Sequence, residues 1–403
     1  MGADIEARSC PSRQPEWVGV FGGVDGNGTV ASRDAFVDSQ GNFFLAGNFD
    51  GIVDFDPTEG IEEFKAGVGI LDAFLLKINA DGSYGWTLVQ EAPGGAGSVG
   101  ISENPQGNLV LATNRKLDPF VWAPRVTWLT QAGAPFRTVD FASGEYGMSD
   151  LAVAPNGAVY LSGTFLGTVD FDPGNGIDLH SSSGWDPFLT RLNADGSYAW
   201  TRTFGGAGAD GDAGVASDPE GNVIITGTFV GSVDFDPGPG VDIHVQSPGT
   251  IEDSFITKFY ANGDYGWTRT YPLRWTAGKG KPAVDSQGNV FFTDAFGGTM
   301  DFNPDGPGGE HTANSDAAGD LIAVKLAPDG QYVWSFSTSD SEGGESGFAI
   351  TIGPNDDVYV TGMFRQTSDF DPGPGQAIIA TTIFQGSGFL LRLSPDGVFR
   401  SVM

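Results

Sequence analysis

The sequence predicts an all-β fold: a six-bladed β-propeller of four-stranded antiparallel blades, with an extra β-hairpin inserted in five of them. Three observations predict it. The phrase Val-Asp-Phe-Asp-Pro-Gly-Asn-Gly at 169–176 returns at 233–240 and, with serine for valine, at 368–375, with looser copies from Val53 and Met300. The tryptophans Trp200, Trp267 and Trp334 are spaced by 67 residues each time. Six turns recur between first and second strands: Gln40-Gly-Asn, Gln106-Gly-Asn, Pro155-Asn-Gly, Glu220-Gly-Asn, Gln287-Gly-Asn and Pro354-Asn-Asp. A fixed period of this length means one supersecondary unit stacked many times, and short strands without helical periodicity make radial repetition the way to protect the sheet edges.

The stretch from Ala213 to Tyr271 is the type unit. Gly214-Val-Ala-Ser reads as a short strand ended by Asp218-Pro-Glu-Gly, whose proline and glycine favour turn dihedrals. Asn222-Val-Ile-Ile-Thr-Gly-Thr-Phe is a β-branched second strand. After the repeated phrase, Ser254-Phe-Ile-Thr-Lys-Phe-Tyr is a third strand and Asp264-Tyr-Gly-Trp-Thr-Arg-Thr-Tyr a fourth. The hairpin between them carries glycine for positive φ, as in Asn79-Ala-Asp-Gly, Asn193-Ala-Asp-Gly and Ala327-Pro-Asp-Gly.

On this basis residues 1–15 are an irregular leader and 16–403 a single domain, with blades near 31–90, 97–142, 149–205, 212–272, 281–338 and 346–403. Residues 16–22 match a fourth strand without partners, an extra strand that closes the ring or is the remnant of a further blade. The second unit passes from Asn114 to Phe120 with no copy of the phrase.

Composition narrows the function. Twenty Lys and Arg against 51 Asp and Glu give a net charge of -31, which excludes affinity for a nucleic-acid backbone through counterion release. Thirty phenylalanines and nine tryptophans at regular places supply a packed core despite 62 glycines. The one cysteine, Cys10, excludes an internal disulfide. No apolar run is long enough to span a bilayer, and residues 1–16 lack the apolar centre of a signal peptide.

The units Val284-Asp-Ser-Gln-Gly-Asn-Val-Phe-Phe and Ile224-Ile-Thr-Gly-Thr-Phe resemble bacterial SBBP-type β-propeller repeats, and Arg191-Leu-Asn-Ala-Asp-Gly with Phe204-Gly-Gly-Ala-Gly resembles the related NHL repeats. The resemblance covers nearly everything after residue 16. It implies an exported or cell-surface bacterial propeller, and it carries no common catalytic residues.

In the phrase, apolar and acidic residues alternate, so an extended chain puts both carboxylates on one face and the apolar pair on the other. The phrase then reads as the first arm and turn of a hairpin between second and third strands. The pairs Asp54/Asp56, Asp170/Asp172, Asp234/Asp236, Asp301/Asn303 and Asp369/Asp371 offer hard oxygen ligands for Ca²⁺, the one cofactor for which the sequence offers a ligand set. The competing reading, favoured because the spacing matches no EF-hand loop, is that these residues build the Pro-Gly turn. His180, His244 and His311 all fall on the second arm, on different blades, which reads as duplication rather than a metal centre.

Nucleophilic catalysis finds no Gly-x-Ser-x-Gly elbow, and five near-identical acidic pairs argue against one asymmetric active site. Trp86, Trp200, Trp267 and Trp334 read as inter-blade core, and the aspartates Asp72, Asp118, Asp186, Asp253 and Asp320 as caps at the entry to the third strand. The function expected is a non-enzymatic binding or assembly module whose acidic, loop-rich face meets a protein or glycan at a cell surface, with Ca²⁺ as a candidate aid. Two alternatives stand beside it. One is a propeller hydrolase or lactonase with an axial metal, to be recognised by convergence of Asp38, Glu103 and Asp285; the other is a structural spacer.

Overall fold

The computed structural model describes residues 21–403 apart from 68, 119–120, 273–279, 305, 313–318, 339–343, 374 and 382–385. Cys10, the leader and residues 16–20 of the extra strand lie outside the described residues.

The fold is a six-bladed propeller whose blades are four-stranded antiparallel sheets, each paired in sequence order. Blade 1 comprises Gly22–Val37, Phe43–Asp54, Asp72–Ile78 and Tyr84–Gln90, and blade 2 Ala96–Glu103, Leu109–Asp118, Val121–Leu129 and Pro135–Asp140. Blade 3 comprises Tyr146–Val153, Val159–Asp170, Leu179–Leu192 and Tyr198–Thr203, and blade 4 Gly211–Ser217, Val223–Phe229, Asp253–Phe259 and Tyr265–Tyr271. Blade 5 comprises Ala283–Val284, Val290–Phe296, Asp320–Leu326 and Tyr332–Ser337, and blade 6 Glu345–Ile352, Val358–Phe364, Ser387–Leu393 and Phe399–Val402. The first strand of blade 1 begins at Gly22 rather than near residue 31. Its partner runs on to Asp54, and a bulge between Gly23 and Gly28 lets the glycine-rich stretch resume pairing.

Five hairpins branch from the blades, with Val53, Val169, Val233, Met300 and Ser368 opposite Phe64, His180, His244, His311 and Ile379. Among the described residues blade 2 has none, as its sequence predicts.

Because successive side chains alternate across a strand, each central strand feeds two interfaces at once. In blade 5, Val290, Phe292, Ile322 and Val324 pack toward blade 4, whereas Phe291, Leu321 and Ala323 pack toward blade 6. Equivalent apolar clusters join blades 1 and 2, 2 and 3, and 3 and 4. Among the described residues none joins blade 6 to blade 1. At that seam Phe43 is 42% exposed, while its counterparts Leu109, Val159, Val223, Val290 and Val358 are fully buried.

A second connection repeats along the ring. The indole N–H groups of Trp86, Trp200, Trp267 and Trp334 donate to the carbonyls of Gln131, Ala261, Pro328 and Pro395 in the next blade, at 3.0–3.2 Å. These partly buried tryptophans pack against the inter-blade clusters, as expected, and also act as clamps, since the indole nitrogen needs an acceptor and finds it on the neighbour's hairpin. The hairpin glycine sits directly under the ring: a Cβ on Gly330 would lie 2.6 Å from Trp267 Cδ2, and its φ is +82°.

Candidate binding face and axial channel

The repeated phrase folds the same way in the hairpins of blades 1, 3, 4 and 6. Asp234 Oδ1 accepts the main-chain N–H groups of Asp236 at 3.2 Å and Asp242 at 2.8 Å, tying the start of the turn to its end. Asp54, Asp170 and Asp369 make the same pair of bonds, to Asp56 and Glu62, Asp172 and Asp178, and Asp371 and Ala377. Asp301 Oδ1 accepts from Asn303 N at 2.8 Å. The second carboxylate of each phrase bonds two residues on: Asp172, Asp236 and Asp371 accept from Gly174, Gly238 and Gly373, and Asp56 from Thr58. These are Asx turns.

The final glycine of the phrase has a steric cause. A Cβ on Gly176, Gly240 or Gly375 would fall 2.0–2.3 Å from Oδ2 of Asp172, Asp236 or Asp371. The carboxylate therefore lies over a bare α-carbon.

The apolar half of the phrase is structural in a way the sequence did not announce. Phe55, Phe171, Phe235, Phe302 and Phe370 are all buried. Phe235 meets Phe204 from the end of blade 3 at 5.6 Å, Phe302 meets Tyr271 from the end of blade 4 at 5.5 Å, and Phe55 meets Phe21 at 6.0 Å. The hairpin thus wedges an aromatic ring into the joint with the preceding chain segment, besides presenting acids outside.

The histidines brace the second arm against the fourth strand of their own blade. His180 Nδ1 pairs with Thr203 Oγ1 at 2.9 Å and His244 Nδ1 with Thr270 Oγ1 at 3.0 Å. Their Nε2 atoms lie 3.4 Å from Asp178 and Asp242, carboxylates that also accept the hydroxyls of Tyr198 and Tyr265. His311 contacts Ser337 and Ser335 instead, and burial lowers its pKa. Each belongs to its own blade, and among the described residues no group of three His, Cys, Asp or Glu is placed to share a metal ion.

Around the axis, the residues five or six positions before each first-strand turn form a ring: Asp34, Gly100, Asp150, Gly214, Lys281 and Ala349. Lys281 Nζ lies 2.8 Å from Asp150 Oδ1, 3.7 Å from Asp34 Oδ2 and 3.1 Å from the carbonyl of Leu151. Asp34 and Asp150 also accept N–H groups from the next blade that carries one, Ile101 and Val215. Burial opposes the charge on Lys281, but the two carboxylates outweigh it and raise the lysine pKa. A cavity of about 730 Å³ opens beside this group, lined also by Asn48, Trp122 and Ile350.

The ring had no signature in the repeat consensus. Its only signal is that lysine stands at 281 where the type unit has Gly214, with aspartate at the same place in two other units.

Glu103 and Asp285 line one cavity together with Asp218, whereas Asp38 lies outside its lining. Asp38 accepts N–H groups of Gln40 and Asn42, Asp285 those of Gln287 and Asn289, and Glu103 the side-chain amide of Gln131. Of the third-strand aspartates, Asp72 and Asp253 cap as expected, accepting from Gly67 and Ser247. Asp186 differs: its Oδ1 is buried without a partner, and burial, reinforced by the charge of Asp210, pushes its pKa up to about 7.

No family model matches the chain. An uncharacterized WD repeat-containing protein of Acanthamoeba polyphaga mimivirus is 25% identical over 215 residues, spanning 49% of this chain and 15% of that protein. The chain therefore covers only a small part of this relative's length. Among solved structures, a Bacteroides caccae protein of unknown function aligns over 82% of this chain and 89% of its own, with 11% identity and a TM-score of 0.40. A gluconolactonase of Xanthomonas campestris aligns over 87% and 96%, with 14% identity and a TM-score of 0.35. A puromycin hydrolase aligns over 86% and 44%, with 12% identity and a TM-score of 0.44. Likeness at this level bears on no residue of the site. Among the described residues no helix is long and apolar enough to cross a membrane.

Proposed function

We propose that this chain is a non-enzymatic binding or assembly module of the SBBP type, working at a bacterial cell surface through its acidic hairpins, with Ca²⁺ assisting. The observation that carries this reading is the equivalence of four hairpins, in blades 1, 3, 4 and 6, whose paired carboxylates are held in one geometry. Repetition of one geometry suits multivalent attachment to a partner, because several weak contacts engaged together multiply in effect. A hydrolase or lactonase needs one asymmetric constellation, whereas Asp38 and Asp285 are each engaged by their own turn and Glu103 by the side-chain amide of Gln131.

The test compares the protein with the variant D56N/D172N/D236N/D371N. Asparagine at this position is compatible with the turn, since an amide oxygen can accept the N–H that the aspartate Oδ1 accepts. Sedimentation with isolated bacterial envelopes should retain the parent protein and lose the variant at unchanged melting temperature; equal retention would overturn the proposal. Calorimetric titration with Ca²⁺ reads the cation separately. Heat in the parent and none in the variant is expected, and no heat in either removes Ca²⁺ from the reading.

A further inference from the structure

The second arm of the blade 4 hairpin is an unguarded strand edge. Among the described residues Ile243–Val245 pairs with Ser232–Asp234 and with no other strand. Phe235 N donates to the carbonyl of Asp242, and Gln246 N to that of Gly231. Even-numbered residues therefore direct their main-chain groups to the first arm, and antiparallel alternation turns those of Val241, Ile243 and Val245 outward, to the free edge.

The side chains of the same three residues are also in solvent, at 72, 58 and 69% exposure, while Asp242 and His244 turn back to Tyr265 and Thr270. Natural sheets blunt such an edge with lysine, proline or a bulge. None stands at 241–245.

The surroundings say what fits. Residues 230–253 contain five acids, Asp234, Asp236, Asp242, Glu252 and Asp253, and no lysine or arginine. A second copy of this chain would bring like charge onto like charge, in a molecule of net charge -31. An extended segment that alternates β-branched with basic residues would satisfy the edge amides, cover the aliphatic stripe and meet the carboxylates. Exposed aliphatic residues recur on the second arms of other hairpins, at Ile61, Ile177, Leu179 and Ile378. The same mode is thereby open to more than one blade.

We propose that the free edge at 241–245 takes up an extended, basic and aliphatic segment of a partner protein by strand addition. This rests on the binding-module reading and names the partner class for it. The probe is a fluorescently labelled nonapeptide alternating lysine and valine, followed by anisotropy with the full chain. Two changes each remove main-chain pairing while leaving net charge alone: N-methylation of alternate amides in the peptide, and I243P in the protein, where the lost N–H is one that faces outward.

Saturable binding of the unmodified peptide, weakened at least tenfold by either change at unchanged melting temperature, is the expected result. V241T/I243T/V245T, which keeps the edge amides but removes the aliphatic stripe, should weaken binding by a smaller factor. If the N-methylated peptide binds as well as its parent, the attraction is charge alone and the edge proposal fails. If the protein sediments with envelopes but does not bind the peptide, the edge proposal fails and the binding-module reading stands; if it binds neither, both fail. A concentration-dependent dimer abolished by I243P would make the occupant a second copy and overturn the partner class.

Discussion

Trp267 donates its indole N–H to the main-chain oxygen of Pro328, 3.1 Å away in the neighbouring blade, and the same ring covers the bare α-carbon of Gly330. Two constraints therefore meet at one glycine: a left-handed backbone and a ring with no room above it. Gly330→Ala should cost roughly 1–3 kcal/mol for the backbone conformation alone, and more for the displaced indole. Gly231→Ala is the control, with the same φ of +82° and no atom within 4 Å of an added Cβ. Urea unfolding should place the Gly330 variant well below the Gly231 variant; coincident midpoints would show that the indole clamp contributes nothing.

The two halves of the repeated phrase separate cleanly by substitution. Phe235→Ala empties the wedge between blades 3 and 4, and large-to-small changes of a buried phenylalanine cost about 3–5 kcal/mol. Asp236→Asn should move stability by less than about 0.5 kcal/mol, since an amide oxygen can accept the same turn bond. Thermal melts of the two variants check this, and a large loss from Asp236→Asn would mean that the charge itself holds the hairpin.

Lys281 binds across the axis to a carboxylate that is 6% exposed, Asp150. Lys281→Met strands that charge. Because the lysine side chain is 40% exposed, the loss should fall below the roughly 3–5 kcal/mol seen when a fully buried pair is broken. Asp34→Asn should matter less, its carboxylate standing 3.7 Å from the ammonium. Denaturation midpoints in the order parent, Asp34→Asn, Lys281→Met are expected, and the reverse order would place the axial tie at Asp34.

Asp186 gives a pH signature. Its folded pKa, about 7, lies above the ordinary 3.8, so the fold prefers the protonated acid. The stabilisation from this group is complete below about pH 4, is lost as pH rises toward 7, and stays lost above. Asp186→Asn should therefore gain stability relative to the parent at about pH 8 and show no such gain near pH 4. Melting temperatures across that range decide it: a constant difference would leave Asp186 without a role in the pH dependence. Asp210, also raised by burial, keeps a slope of its own in the variant.

Sequence reading recovered what repeats and missed what does not. The six turns, the hairpin glycines and the Asx role of residues such as Asp234 are local, and each recurs often enough to be read without coordinates. Phe235 looked like the inward half of a surface arm because its partner, Phe204, belongs to another unit. The axial ring escaped for a sharper reason. Lys281 reaches residues 131 and 247 positions earlier in the chain, and at that ring position the consensus is merely small or polar. The strand beginning at Gly22 is not legible in the sequence because a glycine-rich stretch reads as loop until a partner strand is known to lie beside it.

The clamp between one blade's indole and the next blade's hairpin carbonyl has an evolutionary consequence. Beside the apolar clusters, an indole on one side and a hairpin carbonyl on the other tie a unit to its neighbours, and units 67 residues apart carry both in matching places. Genetic copying in whole units conserves the joint and changes only the circumference. A gene of this kind can lengthen or shorten by one unit without inventing a new contact, whereas the lone axial lysine, having no copy elsewhere in the ring, would have to be preserved by selection on that one unit.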